Sequence, residues 1–154
     1  ISVTGVQTCA LPISTSFKVE ILQAVHNFGP TSPDTFKIAL YTGNSSIGPD
    51  TTEYITTDEV SGTGYTAGGE VLTISQSPTS GDNQQQVPTA YVSFDNAVWA
   101  GATFTARGAL IYNSTQGNKS VAVLNFGSDK TVVNQTFTVV FPTATANDAV
   151  VRIS

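Results

Sequence analysis

From residue 36 onward, apolar residues recur at every second position, in short runs broken by glycine, asparagine, serine and proline. No other feature constrains the fold as strongly. Alternation puts one face of each run in a core and the other in water, as a pleated strand requires. Eight runs qualify: 36–41, 70–75, 90–94, 97–100, 104–112, 120–126, 137–141 and 149–153. Phe36, Ile38 and Leu40 share a face in the first. In 104–112, Phe104, Ala106, Gly108 and Leu110 share one face, and Arg107 turns the other way with Thr105, Ala109 and Ile111. The connectors carry turn chemistry: a polar loop 42–52, a long loop 76–88 around Ser80-Gly81-Asp82-Asn83, a tight hairpin at Gln116-Gly117-Asn118, and turns at 127–129 and 143–148. The stretch 51–59 is too polar for a core strand and too β-branched for a helix. Short strands at this spacing with no helices between them predict an all-β fold, an antiparallel β-sandwich (jelly-roll or Ig-like) of about eight strands.

One helix precedes them. Phe17, Ile21, Val25 and Phe28 follow a 3.6-residue period, Ser16 stands where an N-cap belongs, and Glu20 suits the dipole of the first turn. Gly29-Pro30 is a stop signal, so the spacing predicts a helix over 16–28. His26 falls off the apolar stripe and is expected at a solvent boundary.

Composition narrows function mainly by exclusion. Charged residues make up 11% of the chain and the net charge is −5. The six basic residues are scattered, so no patch exists to neutralise a phosphate backbone and no nucleic-acid partner is expected. No apolar run approaches the ~20 residues of a membrane helix, so no membrane partner is expected. The single histidine cannot build a His-based metal site, and GxSxG and HExxH motifs are absent. No catalytic, cofactor-binding or metal-ligating residue is assigned, and no cofactor.

Two glycine patterns mimic nucleotide motifs. Residues 43–48 have P-loop spacing, but Pro49-Asp50 replaces the Lys-Ser/Thr pair. Gly62-Thr-Gly64-Tyr-Thr-Ala67 leads into a strand where a dinucleotide site needs a helix. Four glycines at 62–69 instead imply positive φ or close backbone approach. Asp58, Glu59, Glu70 and Asp95 are the carboxylates a glycosidase would draw on, without spacing that pairs them. Tyr54, Tyr65, Trp99 and Tyr112 are the aromatics a sugar-binding module would expose. Arg107, mid-strand beside apolar residues, fits either a surface ion pair or a subunit contact. Gly62, Gly64, Tyr65 and Arg107 are therefore the candidate interface residues.

Two resemblances complete the reading. Val3 to Ile13, VTGVQTCALPI, resembles the in-frame translation of a short-read sequencing adapter. It implies that residues 1–13, with the only cysteine, Cys9, are foreign to the fold and disordered, and that 14–154 form a single sandwich domain with its N-terminal helix. The segments SFKVEILQAVHNF, DTFKIALYT, EVSGTGYTAGG, FTARGALIYN and VAVLNFG…FTVVFP…AVVRI resemble a family of small virion structural or tail-fibre-associated proteins of tailed bacteriophages, over 16–154. That resemblance implies a non-enzymatic protein of the head (capsid decoration) or tail fibre. It would be made in the bacterial host cytoplasm and carried in the virion. Its partners would be other virion proteins and itself as a homo-oligomer. A receptor- or carbohydrate-binding module for a host-surface glycan is the alternative, and a glycan-degrading enzyme the third reading.

Overall fold

The computed structural model describes residues 2–4 and 13–154. The fold is an all-β sandwich with one short helix. In chain order the elements are β1 (Ser2–Thr4), α1 (Thr15–Leu22), β2 (Phe36–Tyr41), β3 (Glu70–Leu72), β4 (Ile74–Asp82), β5 (Pro88–Phe94), β6 (Ala97–Asn113), β7 (Lys119–Val140) and β8 (Val151–Ile153). The larger sheet has the order β1-β7-β6-β2-β3 and the smaller β4-β5-β8. All pairs are antiparallel except that of β1, which lies parallel to residues 138–140 of β7.

Of residues 1–13, expected to be disordered, the structure describes Ser2–Thr4 and Ile13, and both are paired. Ser2–Thr4 pairs with β7, and Ile13 bridges Ala122. Residues 1 and 5–12, with Cys9, lie outside the described residues. An open strand edge accepts any extended backbone, because its N–H and C=O groups select no side chain.

The largest departure from the sequence reading is a long hairpin. Runs 97–100 and 104–112 are one 17-residue strand, and 120–126 and 137–141 are one 22-residue strand. Seventeen residues would span about 55 Å if straight, longer than a domain this size. Bulges bend the pair instead, with register shifts between Trp99 and Ala102 and between Ala106 and Gly108. Gly127-Ser128-Asp129, read as a turn, is absorbed into β7 at the second of these. There Ala106 pairs Lys130 and Gly108 pairs Asn125, so β7 carries the extra residues.

The bulge also shifts the alternation. Ala102, Phe104 and Ala106 face the inter-sheet core, and so do Ala109 and Ile111. Arg107 and Gly108 therefore both turn outward. The expected grouping of Arg107 with Ala109 and Ile111 is corrected, as is that of Gly108 and Leu110 with Phe104.

Residues 76–82, read as loop, form most of β4, whose pairing to β5 slips twice along an exposed edge carrying Pro78. The run 70–75 breaks at Thr73, where the chain leaves the larger sheet for the smaller. The helix is also shorter than expected. Ser14, not Ser16, is its N-cap, accepting from Phe17 N–H, and it spans eight residues. Ala24, at φ 56°, ends it as a left-handed C′ residue, with Val25 N–H bonded to the Glu20 carbonyl and Ala24 N–H to that of Ile21.

The sheets close over a core that includes Phe36, Ile38 and Leu40 of β2, as the alternation predicts, with Phe17 of the helix, Phe94, Trp99 and Phe137. A second cluster lies on the outer face of the larger sheet. There Ile47, Tyr54 and Ile55 of the loop 42–59 cover Ala39, Tyr41, Leu110, Tyr112 and Val123.

Candidate functional site

Glu59 sits where the covering loop returns to the sheet, in an isolated bridge with Tyr41. Its Oε2 accepts from the Tyr54 hydroxyl at 2.6 Å, and its Oε1 from the Tyr65 hydroxyl and the Gly68 N–H, both at 2.7 Å. The Tyr65 oxygen accepts in turn from Leu40 N–H, and Tyr112 donates to the Gly68 carbonyl. Burial, with the Glu59 carboxylate close by, pushes Tyr112 up to about 12 and raises Tyr65 and Tyr54 further; burial also raises Tyr41, whose hydroxyl donates to the Ile55 carbonyl. These phenols stay protonated near neutrality and act as donors that fix the loops. Trp99 and Tyr112 are buried, so neither offers a face to a sugar.

A second polar cluster was not visible in the sequence. His26 is buried against Phe17, with ring centroids 4.8 Å apart, rather than at a solvent boundary. Its Nε2 lies 2.9 Å from Glu20, and its Nδ1 lies 3.0 Å from Asn113 Nδ2. The Asn113 Oδ1 accepts from the N–H groups of Thr115 and Gln116, which turns its amide nitrogen toward the ring. His26 therefore accepts at Nδ1 and donates from Nε2 to Glu20. Glu20, read only as an acidic residue suiting the helix dipole, is buried and pairs also with Lys119 at 3.0 Å. Asp34 closes the network, accepting from Asn113 and Gln116 side chains and from Asn27 N–H.

For Glu20 burial acts to raise the pKa, but hydrogen bonds from His26 and Lys119 outweigh it and hold the group below its ordinary 4.5. Asp34 is likewise held below 3.8, its hydrogen bonds overcoming burial. Carboxylates lowered in the folded state add stability that is present above their unfolded values and is lost as pH falls through the folded ones. The urea midpoint should therefore hold level down to about pH 5 and drop steeply below 4. Glu20→Gln should flatten that drop, and an unchanged pH profile in the variant would remove Glu20 from the account.

The four candidate interface residues divide. Gly62 and Gly64 lie on the free edge of β6: a Cβ would stand 2.4 Å from the Thr103 carbonyl at Gly62 and 2.9 Å from that of Ala100 at Gly64. Both are exposed, and the Thr63–Thr103 bridge holds them there. Tyr65 turns inward, stacked on Trp99. Arg107 lies outward, 3.5 Å from Asp129, on the wall of a cleft of about 200 Å³ floored by Ile47, Val123 and Leu124. Gly62, Gly64 and Arg107 thus border the outward face of β6, while Tyr65 belongs to the Glu59 cluster. Asp58 and Asp95 are exposed, and Glu70 begins β3, so the structure commits only Glu59 among the candidate carboxylates to a polar cluster. Among the described residues no three His, Cys, Asp or Glu side chains gather as a metal site.

The chain matches no family model, no curated protein and no solved structure.

Proposed function

We propose that this chain is a non-enzymatic structural protein of a tailed-bacteriophage particle, held on the head or tail by protein–protein contacts. One observation carries this reading. The groups best suited to chemistry, Glu59, Glu20, His26 and Asp34, are each hydrogen-bonded into loops and turns, while Val98, Thr103, Thr105, Thr131 and Val133 on the outer face of β6 and β7 stand exposed. Such an allocation suits a molecule that works through its surface. The resemblance of residues 16–154 to virion structural proteins supports it. A sugar-binding role would need exposed aromatic faces, and burial of Trp99 and Tyr112 removes two of the four candidates. The test is a density gradient of intact particles from a phage that encodes the chain. The protein should sediment with the particles; recovery only in the soluble lysate would sink the proposal.

A further inference from the structure

The His26 network joins parts of the chain that lie far apart in sequence. The ring packs against Phe17 of the helix and Phe28, and its side chain is fully buried. Its Nε2 faces Glu20, and its Nδ1 faces the amide nitrogen of Asn113. The charged groups around it are Glu20 of the helix, Asp34 of the loop 23–35 and, through Glu20, Lys119 of β7. Asn113 ends β6 and is itself buried. Its Oδ1 accepts from both Thr115 and Gln116 N–H, so it holds the turn between β6 and β7. The same turn is clasped to the loop. Ser114 donates from its N–H and its hydroxyl to the Thr35 carbonyl, Thr35 N–H donates to the Thr115 hydroxyl, and the Gln116 amide reaches Asp34. Asn113 thus touches ring, loop and turn at once.

We propose that His26 is a proton-operated latch on the turn between β6 and β7. The neutral ring accepts at Nδ1, and Asn113 supplies the hydrogen. A second proton on the ring goes to Nδ1 and makes it a donor. Two N–H groups then point at each other in a buried space, and the contact cannot persist. Asn113 can answer by turning its amide over. Its Oδ1 then accepts from the ring, but its NH2 faces the N–H groups of Thr115 and Gln116, which lose their acceptor. It can also withdraw from the ring, and this moves Oδ1 too, because both atoms belong to one rigid amide. Either path takes the cap off the turn. The new charge itself is met inside the fold. Glu20 lies 2.9 Å from Nε2, and Asp34 accepts from the same Asn113 nitrogen that faces Nδ1. The cost of the proton therefore falls on residues 114–118 and the loop clasped to them, while the sandwich holds.

This inference concerns the folded chain and does not rest on the particle reading, so each can fail alone. The chain has one histidine, so its ring signals report His26 directly. The experiment is an NMR titration of the full chain from about pH 7.5 to about pH 5, the range in which histidine ordinarily titrates. Glu20 and Asp34 are held below their ordinary values and stay ionised there, so they do not drive a change. Ring nitrogen shifts should show the Nε2–H tautomer at the upper end. As the ring takes its proton, amide exchange at Thr115 and Gln116, corrected for the intrinsic rate, should quicken at least ~tenfold, the effect of losing one ordinary hydrogen bond. Ala109 and Ile111, inside β6, should stay protected. His26→Gln, which has no proton to gain, should remove the pH response at both amides; if that variant does not fold, the wild-type titration decides alone. A ring that takes its proton while Thr115 and Gln116 keep their protection overturns the proposal. So does a ring that stays neutral until the protein unfolds, a neutral ring protonated at Nδ1, or a loosening of the turn that persists in His26→Gln.

Discussion

Gly69→Ala should destabilise the protein by about 3–5 kcal/mol, a large share of the roughly 5–15 kcal/mol by which domains are commonly stable. Two costs combine. Gly69 has φ +69°, a left-handed conformation that costs a residue with a Cβ roughly 1–2 kcal/mol. Its Cβ would also stand 1.8 Å from the Ile38 carbonyl oxygen and 2.8 Å from the Ala39 Cα. Those are backbone atoms of β2, a central strand buried on both faces, and they cannot swing aside as a side-chain tip would. Ile38 pairs Glu70, so relief means lifting β3 off the sheet. Two other glycines separate the costs. Gly117 has φ +68° with nothing within 4 Å of its Cβ, so Gly117→Ala should lose only the backbone part, about 1 kcal/mol. Gly48 has open space and no such φ, and Gly48→Ala should be neutral or slightly stabilising. Urea unfolding of the three variants reads the series. If Gly69→Ala lost no more than Gly117→Ala, the contact with β2 would be shown to yield.

The sequence carried what depends on local period and missed what depends on distant partners. Phe36, Ile38 and Leu40 declared the inward face of β2, and Gln116-Gly117-Asn118 declared the hairpin between β6 and β7, where Gly117 and Asn118 both take positive φ. Gly127, read within a turn, and Gly101, in the break between two runs, also take positive φ, yet both sit inside long strands. A left-handed glycine serves a turn or a bulge equally, and only the partner strand decides which. Residues 76–82 pair along an edge and bury little, so they lack the apolar alternation that marks a core strand. The helix ends at Ala24, a residue that carries no stop signal, and this early end moved His26 off the helix and into the interior. Its bond to Asn113 joins residues 87 apart in sequence, beyond any spacing rule. Of the candidate site, the glycines and Arg107 were legible as anomalies in a strand-rich chain. The exposed valines and threonines of β6 and β7 were not, since their exposure depends on where a polar loop stops covering the sheet.

Glu59 is the residue on which the structural and enzymatic readings diverge most. Glu59→Ala should cost about 3–5 kcal/mol, because it leaves two tyrosine hydroxyls and the Gly68 N–H without their acceptor, and bonds to a charged group contribute roughly 1.5–3 kcal/mol each without adding fully. Glu59→Gln should cost nearer ~1 kcal/mol. Its amide oxygen can still accept from Tyr65 and Gly68, and the Tyr54 hydroxyl can rotate to accept from the amide nitrogen. Loss should show first in hydrogen exchange at Gly68, whose N–H opens when the loop does. A catalytic carboxylate would invert this pattern: glutamine, which cannot transfer the proton, would abolish turnover as thoroughly as alanine while leaving stability intact. An unfolding series in which alanine is severe and glutamine mild places Glu59 in the scaffold. Equal stability in both variants, with a glycan cleaved by the wild type alone, would return Glu59 to chemistry.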